Sequence, residues 1–326
     1  MLVKKLFSKL IYLPLIFSCQ AMAENYKPDD HAPIGVMRDH VHKQGDFMTS
    51  FRTKAMVMKG LRNGDDKVKT GDALDDYMMV PTEMMMRMHM VGVMYGVTDN
   101  FTISTMAGMV KKDMDSVNRM AVKSNSDSSG FSDTKINASY QFLENNQSRS
   151  QFNFGISLPT GSINKKSKGE RLAYVMQIGS GSYEINPGIS YSSYQDSFSY
   201  GGQINLNFKL NKNSNDYKLG DRYNLTAWIA KNLNESFSIS SRLDYNKSEA
   251  IEGKDLNLTK NMPSVNPGLY NRESLDLLFG INYLLPKDIL EGNRLALEFG
   301  LPIYQRIDGP MLENNFQLTF GWQKVF

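Results

Sequence analysis

Segment after segment of this chain alternates apolar and polar side chains with a period of two. Phe198, Tyr200, Ile204, Leu206 and Phe208 fall on one face, and Ser199, Gln203, Asn205, Asn207 and Lys209 on the other. Leu275, Leu277, Phe279, Ile281 and Tyr283 oppose Ser274, Asp276, Gly280 and Asn282 in the same way. So do Leu295, Leu297, Phe299 and Leu301 against Arg294, Glu298 and Gly300, and Phe237, Ile239, Leu243 and Tyr245 against Ser238, Ser240, Arg242 and Asp244. A strand turns successive side chains to opposite sides, so each segment is a strand with one apolar and one polar face. Strands of a soluble sandwich average about five or six residues. Many of these run to about ten or more, the length a tilted strand needs to cross a bilayer. Lipid offers the backbone no hydrogen bonds, so such strands are viable only in a closed ring.

The pattern predicts an all-β fold, a transmembrane antiparallel β-barrel of about 12 strands with short periplasmic turns and long outer loops. The strands are placed at 47–59, 84–96, 101–110, 133–142, 151–159, 182–192, 197–209, 222–233, 236–246, 272–285, 293–303 and 314–326. Between them, short connections (97–100, 195–197, 234–235) contrast with long ones (60–83, 111–133, 161–181, 247–271) rich in Asn, Ser, Lys and Asp. An even strand count returns both ends to the periplasm.

The two ends of the chain agree with this reading. Lys4, Lys5 and Lys9 precede a short apolar run from Leu10 to Phe17, and Ala21-Met22-Ala23 is a small-x-small cleavage site. This is a secretory signal, too short to span a membrane as a helix. Residues 1–23 are thus expected to be removed, 24–46 to form a periplasmic N-terminal segment, and 47–326 the barrel. Cys19, the only cysteine, leaves with the signal, so no disulfide or thiol chemistry is expected of the mature chain. Losing three lysines brings the 37 basic residues level with the 34 acidic ones, and a nucleic-acid partner is not indicated. At the other end Phe316, Leu318, Phe320, Trp322 and Phe326 share one row. A strand ending in Phe326 has the form read by the barrel-assembly machinery. The expected location is the outer membrane of a Gram-negative bacterium, with the lipid bilayer, that machinery and a small-molecule solute as partners.

One stretch departs from the rest in composition. Of 21 methionines, most lie between Met37 and Met120, and all four histidines, His31, His40, His42 and His89, fall in the first 90 residues. Met84, Met86, Met88, Met90 and Met94 occupy one face of the second strand, with Arg87, His89, Val91, Val93 and Tyr95 on the other. Two arguments oppose each other over which face is inside. An arginine facing mid-bilayer lipid costs roughly 2–4 kcal/mol, which points Arg87 inward. Val93 and Tyr95 suit lipid and its interface, which points it outward. On neighbouring strands Arg52 and Lys54 are expected in the lumen, and Met56, Met58 and Met106 share lumenal rows.

Thioether sulfur suits Cu(I) and imidazole suits copper or zinc. Met84, Met86, Met88, Met90, His40, His42 and His89 are therefore the candidate metal ligands, with Asp39-His40-Val41-His42 at the entrance. The plainer reading is that methionine is a flexible filler of apolar surfaces. No cofactor is required, and copper is the metal the set would take. Enzyme chemistry has little support. His89 beside Glu83, with Ser104 on the next strand, is the one hydrolase-like grouping, and no phosphate-binding or dinucleotide loop is present.

Five stretches together resemble a bacterial outer-membrane family labelled "putative MetA-pathway of phenol degradation". They are HAPIGVMRDHVHKQGDFMTSFR from His31, MRMHMVGVMYGVTDNFTI from Met86, SSGFSDTKINASYQF from Ser128, FGISLPTGSI from Phe154 and MQIGSGSYEINPGISY from Met176. The resemblance implies an outer-membrane barrel that passes small molecules, and the label suggests aromatic ones. It carries no catalytic residues. The expected function is a channel or transporter for small solutes, apolar or aromatic ones among them. The alternatives are a copper-binding or copper-translocating barrel and a structural or surface-contact barrel.

Overall fold

The computed structural model describes residues 27–145, 147–285 and 292–326. The secretory signal and its cleavage site lie outside the described residues. Eleven described strands close into one antiparallel ring. They are β1 (Phe47–Gly64), β2 (Met79–Thr98), β3 (Phe101–Asn118), β4 (Thr134–Glu144), β5 (Ser148–Leu158), β6 (Gly188–Tyr194), β7 (Phe198–Lys209), β8 (Arg222–Asn232), β9 (Phe237–Ser248), β10 (Arg272–Leu284) and β11 (Asn293–Val325). The first part of β11 pairs with β10, from Ile307↔Arg272 to Arg294↔Leu284. Its second part pairs with β1, from Ile307↔Gly64 to Val325↔Met48. The two parts lie side by side, since Trp322 Nε1 donates to Asn293 Oδ1 (2.9 Å) and Arg294 Nη1 to Gln323 Oε1 (2.8 Å). β11 therefore doubles back and supplies two spans, and twelve spans circle the barrel as the alternation predicts.

The two faces separate as a membrane barrel requires. Ile136, Phe152, Phe154, Ile189, Ile229, Ile239, Phe279, Leu297 and Phe320 are exposed on the outside. Ser139, Asn153, Gln151, Ser190, Thr226, Ser240, Asn282, Glu298 and Thr319 are buried inside. On β3 the outward row runs Phe101, Ile103, Thr105, Ala107, Met109 and then meets Lys111. Beside it on β2 stand Arg87 and Glu83, and on β1 Lys59, which pairs with Glu83 at 3.0 Å. These charges mark the upper edge of the apolar band, which fits the ~25 Å expected of such barrels.

The outer loops are more ordered than the composition suggests. The expected loop 111–133 is a hairpin, because β3 continues to Asn118 and residues Lys123–Phe131 pair back along it. Met114 still packs inward there, but polar residues fill most other positions on both faces of the hairpin, so the period-two signal fades while the pairing persists. The expected strand 182–192 is split into Glu184–Ile185 and β6. Asn186 and Pro187 lie at the break, and proline has no N–H to give to a ladder.

Residues 27–46, which precede the first strand, occupy the barrel itself. They are described with the site they build.

Candidate functional site

The chain enters the lumen at the end where Phe47 and Phe326 meet. Gly45 N donates to Gly96 O (2.9 Å), and Gly96 N donates to Asp46 O (3.0 Å). A Cβ at Gly96 would stand 1.9 Å from Lys43 O, so only glycine lets the two backbones approach. His42 N then donates to Thr102 Oγ1 (2.8 Å). The apex of the loop, around Gly35, touches Arg242 and Glu298 on the far wall. The other limb passes Ala32, whose carbonyl accepts from Arg294 Nη2 (3.0 Å), and ends at Pro28 and Asp29.

This plug has no regular structure, so its backbone groups need partners from the wall. Gln151 Nε2 donates to Arg38 O (2.7 Å), Gln203 Nε2 to Met37 O (2.8 Å), Tyr194 OH to Asp30 O (3.0 Å) and Ser238 Oγ to Pro28 O (3.0 Å). Arg38 in turn donates to Asn186 O (3.0 Å) and Asn205 Oδ1 (2.6 Å). The polar inner row that the alternation predicts is thus spent largely on holding the chain's own N-terminal segment.

The register settles the methionine face. Arg52 pairs with Met90, Lys54 with Met88, Met56 with Met86 and Met58 with Met84, and the two members of each pair share a face. Arg52 and Met58 are buried inside. The methionines therefore form a lumenal column, and Arg87 and His89 point outward. The desolvation argument against an outward arginine does not apply, because Arg87 stands level with Lys111 and next to the charged rim. Met56 shares that row with Arg52 and Met58, and Lys54 and Met106 line the lumenal cavity described below. At the top of the column Met58, Met84 and Met114 pack with Leu172, Met176 and Met262 from two outer loops. Lys112 Nζ donates to Val175 O (2.8 Å) and Gln177 O (2.6 Å), drawing the first of those loops into the barrel.

Between the plug and these loops lies a cavity of about 240 Å³. Met37, Met48, Met94 and Met106 are among its lining residues. Five cationic side chains, Arg38, Arg52, Lys54, Lys135 and Arg242, line it against the carboxylates of Asp39 and Asp244 among the described residues. Arg242 is spent on Glu298, with Nε and Nη2 each 2.9 Å from a carboxylate oxygen. Arg52, Lys54 and Lys135 make no ion pair and no side-chain hydrogen bond among the described residues. A smaller cleft of about 180 Å³ among outer-loop residues, including Lys166, Glu170 and Lys260, shares no lining residue with this cavity.

The metal-ligand candidates fall into three places. Met84, Met86, Met88 and Met90 stand in the lumenal column. His40 and His42 are buried in the plug, with their Nε2 atoms 3.2 Å apart. His89 is exposed on the outer surface, stacked near Phe51 at 6.3 Å between ring centroids. The structure adds His31, which the sequence did not single out as a ligand, and brings it to His40 and Asp39. His31 Nδ1 is 3.1 Å from His40 Nδ1, and Asp39 Oδ1 is 3.0 Å from the same nitrogen. Burial pushes the His42 imidazole down to about 3 and His31 well below its usual range. Burial would raise the Asp39 carboxyl, but the charge and hydrogen bond of His40 hold it below the usual range. The hydrolase-like grouping is not assembled, since His89 and Glu83 lie on the outer face and Ser104 on the inner one.

Comparison with known proteins places the fold. Residues 87–299 match the family described as "Putative MetA-pathway of phenol degradation". The structure resembles an outer membrane channel from Pseudomonas putida F1, with a TM-score of 0.64 at 11% identity, over 88% of this chain and 98% of that one. The KdgM porin aligns with a TM-score of 0.44 at 12% identity, over 86% of this chain and 99% of the porin. A monoaromatic hydrocarbon channel, the TodX deltaS2S3 mutant, aligns at 0.43 and 8%, over 87% and 91%. No curated protein matches the chain.

Proposed function

Since the chain belongs to the family described as "Putative MetA-pathway of phenol degradation", we propose that it is an outer-membrane channel for small solutes, and that its preferred solutes are anions bearing an apolar group. The observation that carries this reading is the cavity wall. Arg52, Lys54 and Lys135 line one chamber with no ion pair among the described residues, and methionine side chains line the same chamber, Met106 directly opposite Lys135. Of the three, Arg52 is buried, Lys54 half-buried and Lys135 exposed. A buried cation without an ion pair is costly, and an anion entering the chamber relieves that cost at Arg52. The similar channel from Pseudomonas putida F1 agrees with a channel architecture. Twelve spans leave a narrow pore, between eight-stranded barrels filled by side chains and the wide porins. The strand ending in Phe326 serves as the assembly signal in this reading, and the barrel has no catalytic role.

The test is reversal potential in planar bilayers under a salt gradient, together with swelling of proteoliposomes in small aromatic carboxylates and in neutral sugars. Anion preference, lost in the triple variant Arg52→Gln, Lys54→Gln, Lys135→Gln, is the expected result. A cation-selective pore, or a plug-deleted barrel that passes neither ions nor carboxylates, would overturn it.

A second reading rests on the methionine column. Met84, Met86, Met88, Met90 and Met94 descend from the outer loops to the cavity, and thioethers are ligands for Cu(I). Replacing the first four with leucine would then weaken Cu(I) binding, whereas unchanged binding would leave the column as packing alone.

A further inference from the structure

The plug loop narrows to a neck where its two limbs cross, and the neck is built from histidine and carboxylate. His31 lies on one limb, and Asp39, His40 and His42 on the other. Ala32 N donates to Asp39 Oδ2 across the gap at 2.8 Å. His31 Nδ1, His40 Nδ1 and the Asp39 carboxylate lie within 4.8 Å of one another. The individual separations are 3.1 Å between the two nitrogens, 3.0 Å from His40 Nδ1 to Asp39 Oδ1 and 3.9 Å from His31 Nδ1 to Asp39 Oδ2. Two nitrogens and one oxygen around a tetrahedral ion, at bonds of about 2.0–2.1 Å, stand roughly 3.3 Å apart. The two contacts of His40 Nδ1 are close to that spacing, and the carboxylate faces His31 through its other oxygen at 3.9 Å.

We propose that His31, His40 and Asp39 bind one divalent transition-metal ion, zinc or copper(II), and that this ion clips the neck of the plug loop. The geometry supplies each part of the site. His40 ligates through Nδ1, and its Nε2–H donates to His42 Nε2 at 3.2 Å. That contact fixes the tautomer and ring orientation of a metal-bound histidine. Two imidazoles and one carboxylate suit zinc or copper(II) rather than magnesium or calcium, which favour all-oxygen shells. The clip closes a loop of about ten residues, so it removes chain entropy from the released state of the plug while leaving the barrel wall untouched. Asp39 and His40 also line the cavity. The fourth coordination position thus opens toward the chamber that holds Arg52, and an anion or hydroxide is the ligand favoured there.

The site stands or falls independently of which solute the barrel passes. The experiment uses the full mature chain, folded in detergent and stripped with a chelator. Zinc chloride is titrated by calorimetry, and copper(II) chloride is followed by electron paramagnetic resonance. The expected result is one ion per chain, with copper hyperfine structure from two nitrogens. His40→Ala abolishes this binding, His42→Ala weakens it about 10–100-fold by removing the outer partner, and the exposed His89→Ala leaves it unchanged. Heat-modifiability on gels confirms that each variant is folded. Proteolysis of residues 27–46 reports the clip, and it slows when zinc is added to wild type but not to His40→Ala. Absence of one-to-one binding at micromolar metal, or binding retained in a folded His31→Ala, His40→Ala double variant, would overturn the site. A spectrum with no nitrogen coupling would do so even if every variant failed to fold. Binding without any change in proteolysis would overturn the clip.

Discussion

The plug occupies one end of the lumen and packed outer loops the other, and the two are held by opposite chemistry. At the inner end, wall side chains reach individual backbone carbonyls of the plug, as Gln151 does for Arg38 and Ser238 for Pro28. At the outer end Met58, Met84 and Met114 meet Leu172, Met176 and Met262 in an apolar cluster. Hydrogen bonds fix distance and direction, so the plug has one seat and a small shift breaks several contacts together. Methionine packing is adaptable, so the outer cap can repack around what passes. The plug is therefore expected to behave as a gate with two states, and the cap as a filter with many.

Deleting residues 27–44 should change behaviour most. The barrel should still migrate as a folded species on unboiled gels, because its ladder is closed without them. Single-channel conductance should rise from near baseline to that of a narrow open pore. If conductance stays flat, the outer cap is the true barrier and the comparison reverses.

Gly96→Val attacks the same gate sterically. The new Cβ would meet Lys43 O at 1.9 Å, a backbone atom that cannot swing aside. The plug must leave its groove at that point, so openings should become frequent though smaller than in the deletion. A quiet channel would mean that the exit limb can detach without releasing the apex.

Met176→Ala probes the cap. Its side chain is fully buried, and such truncations cost about 2–5 kcal/mol where the structure cannot collapse. Here the cost falls on loop docking rather than on the barrel. Outer-loop proteolysis should speed up, with little change in gel mobility and only a modest rise in conductance.

The barrel was legible because lipid outside and polar groups inside impose period two on nearly every span. The same rule explains where legibility ended. On the hairpin formed by β3 and Lys123–Phe131 polar residues fill most positions on both faces, although Met114 and Ser128 are buried, and the sequence there reads as loop. The face of the methionine column depended on register with Arg52, which only the paired strands reveal. The plug carries no periodicity at all, since its order comes from Gln151, Gln203, Tyr194 and Ser238 far along the chain. For that reason His40 and His42 were visible as a histidine pair. His31, nine positions earlier on the opposite limb, offered only a lone histidine. The surroundings of Lys135 were equally hidden, because acidic residues are plentiful in the sequence, and among the described residues Glu184 and Asp133 act on it without forming an ion pair.

The smallest expected difference is also the sharpest test of the two chemistries, because it compares conservative changes. Met176→Leu keeps volume and apolarity, and such swaps usually cost less than about 1.5 kcal/mol. An adaptable cap should absorb it, with conductance and proteolysis near wild type. Ser238→Ala removes one oxygen, yet that oxygen donates to Pro28 O and accepts from Asn282 Nδ2, both at 3.0 Å, in a fully buried position. Leaving Pro28 O without a donor costs about 1–3 kcal/mol, and the whole of it falls on the end of the plug. Hydrogen exchange at residues 27–32 should therefore rise in Ser238→Ala, while exchange in the 172–178 loop stays unchanged in Met176→Leu. Equal responses at the two ends would show that the plug is held by its bulk in the lumen rather than by directed bonds, and the distinction between gate and filter would fall.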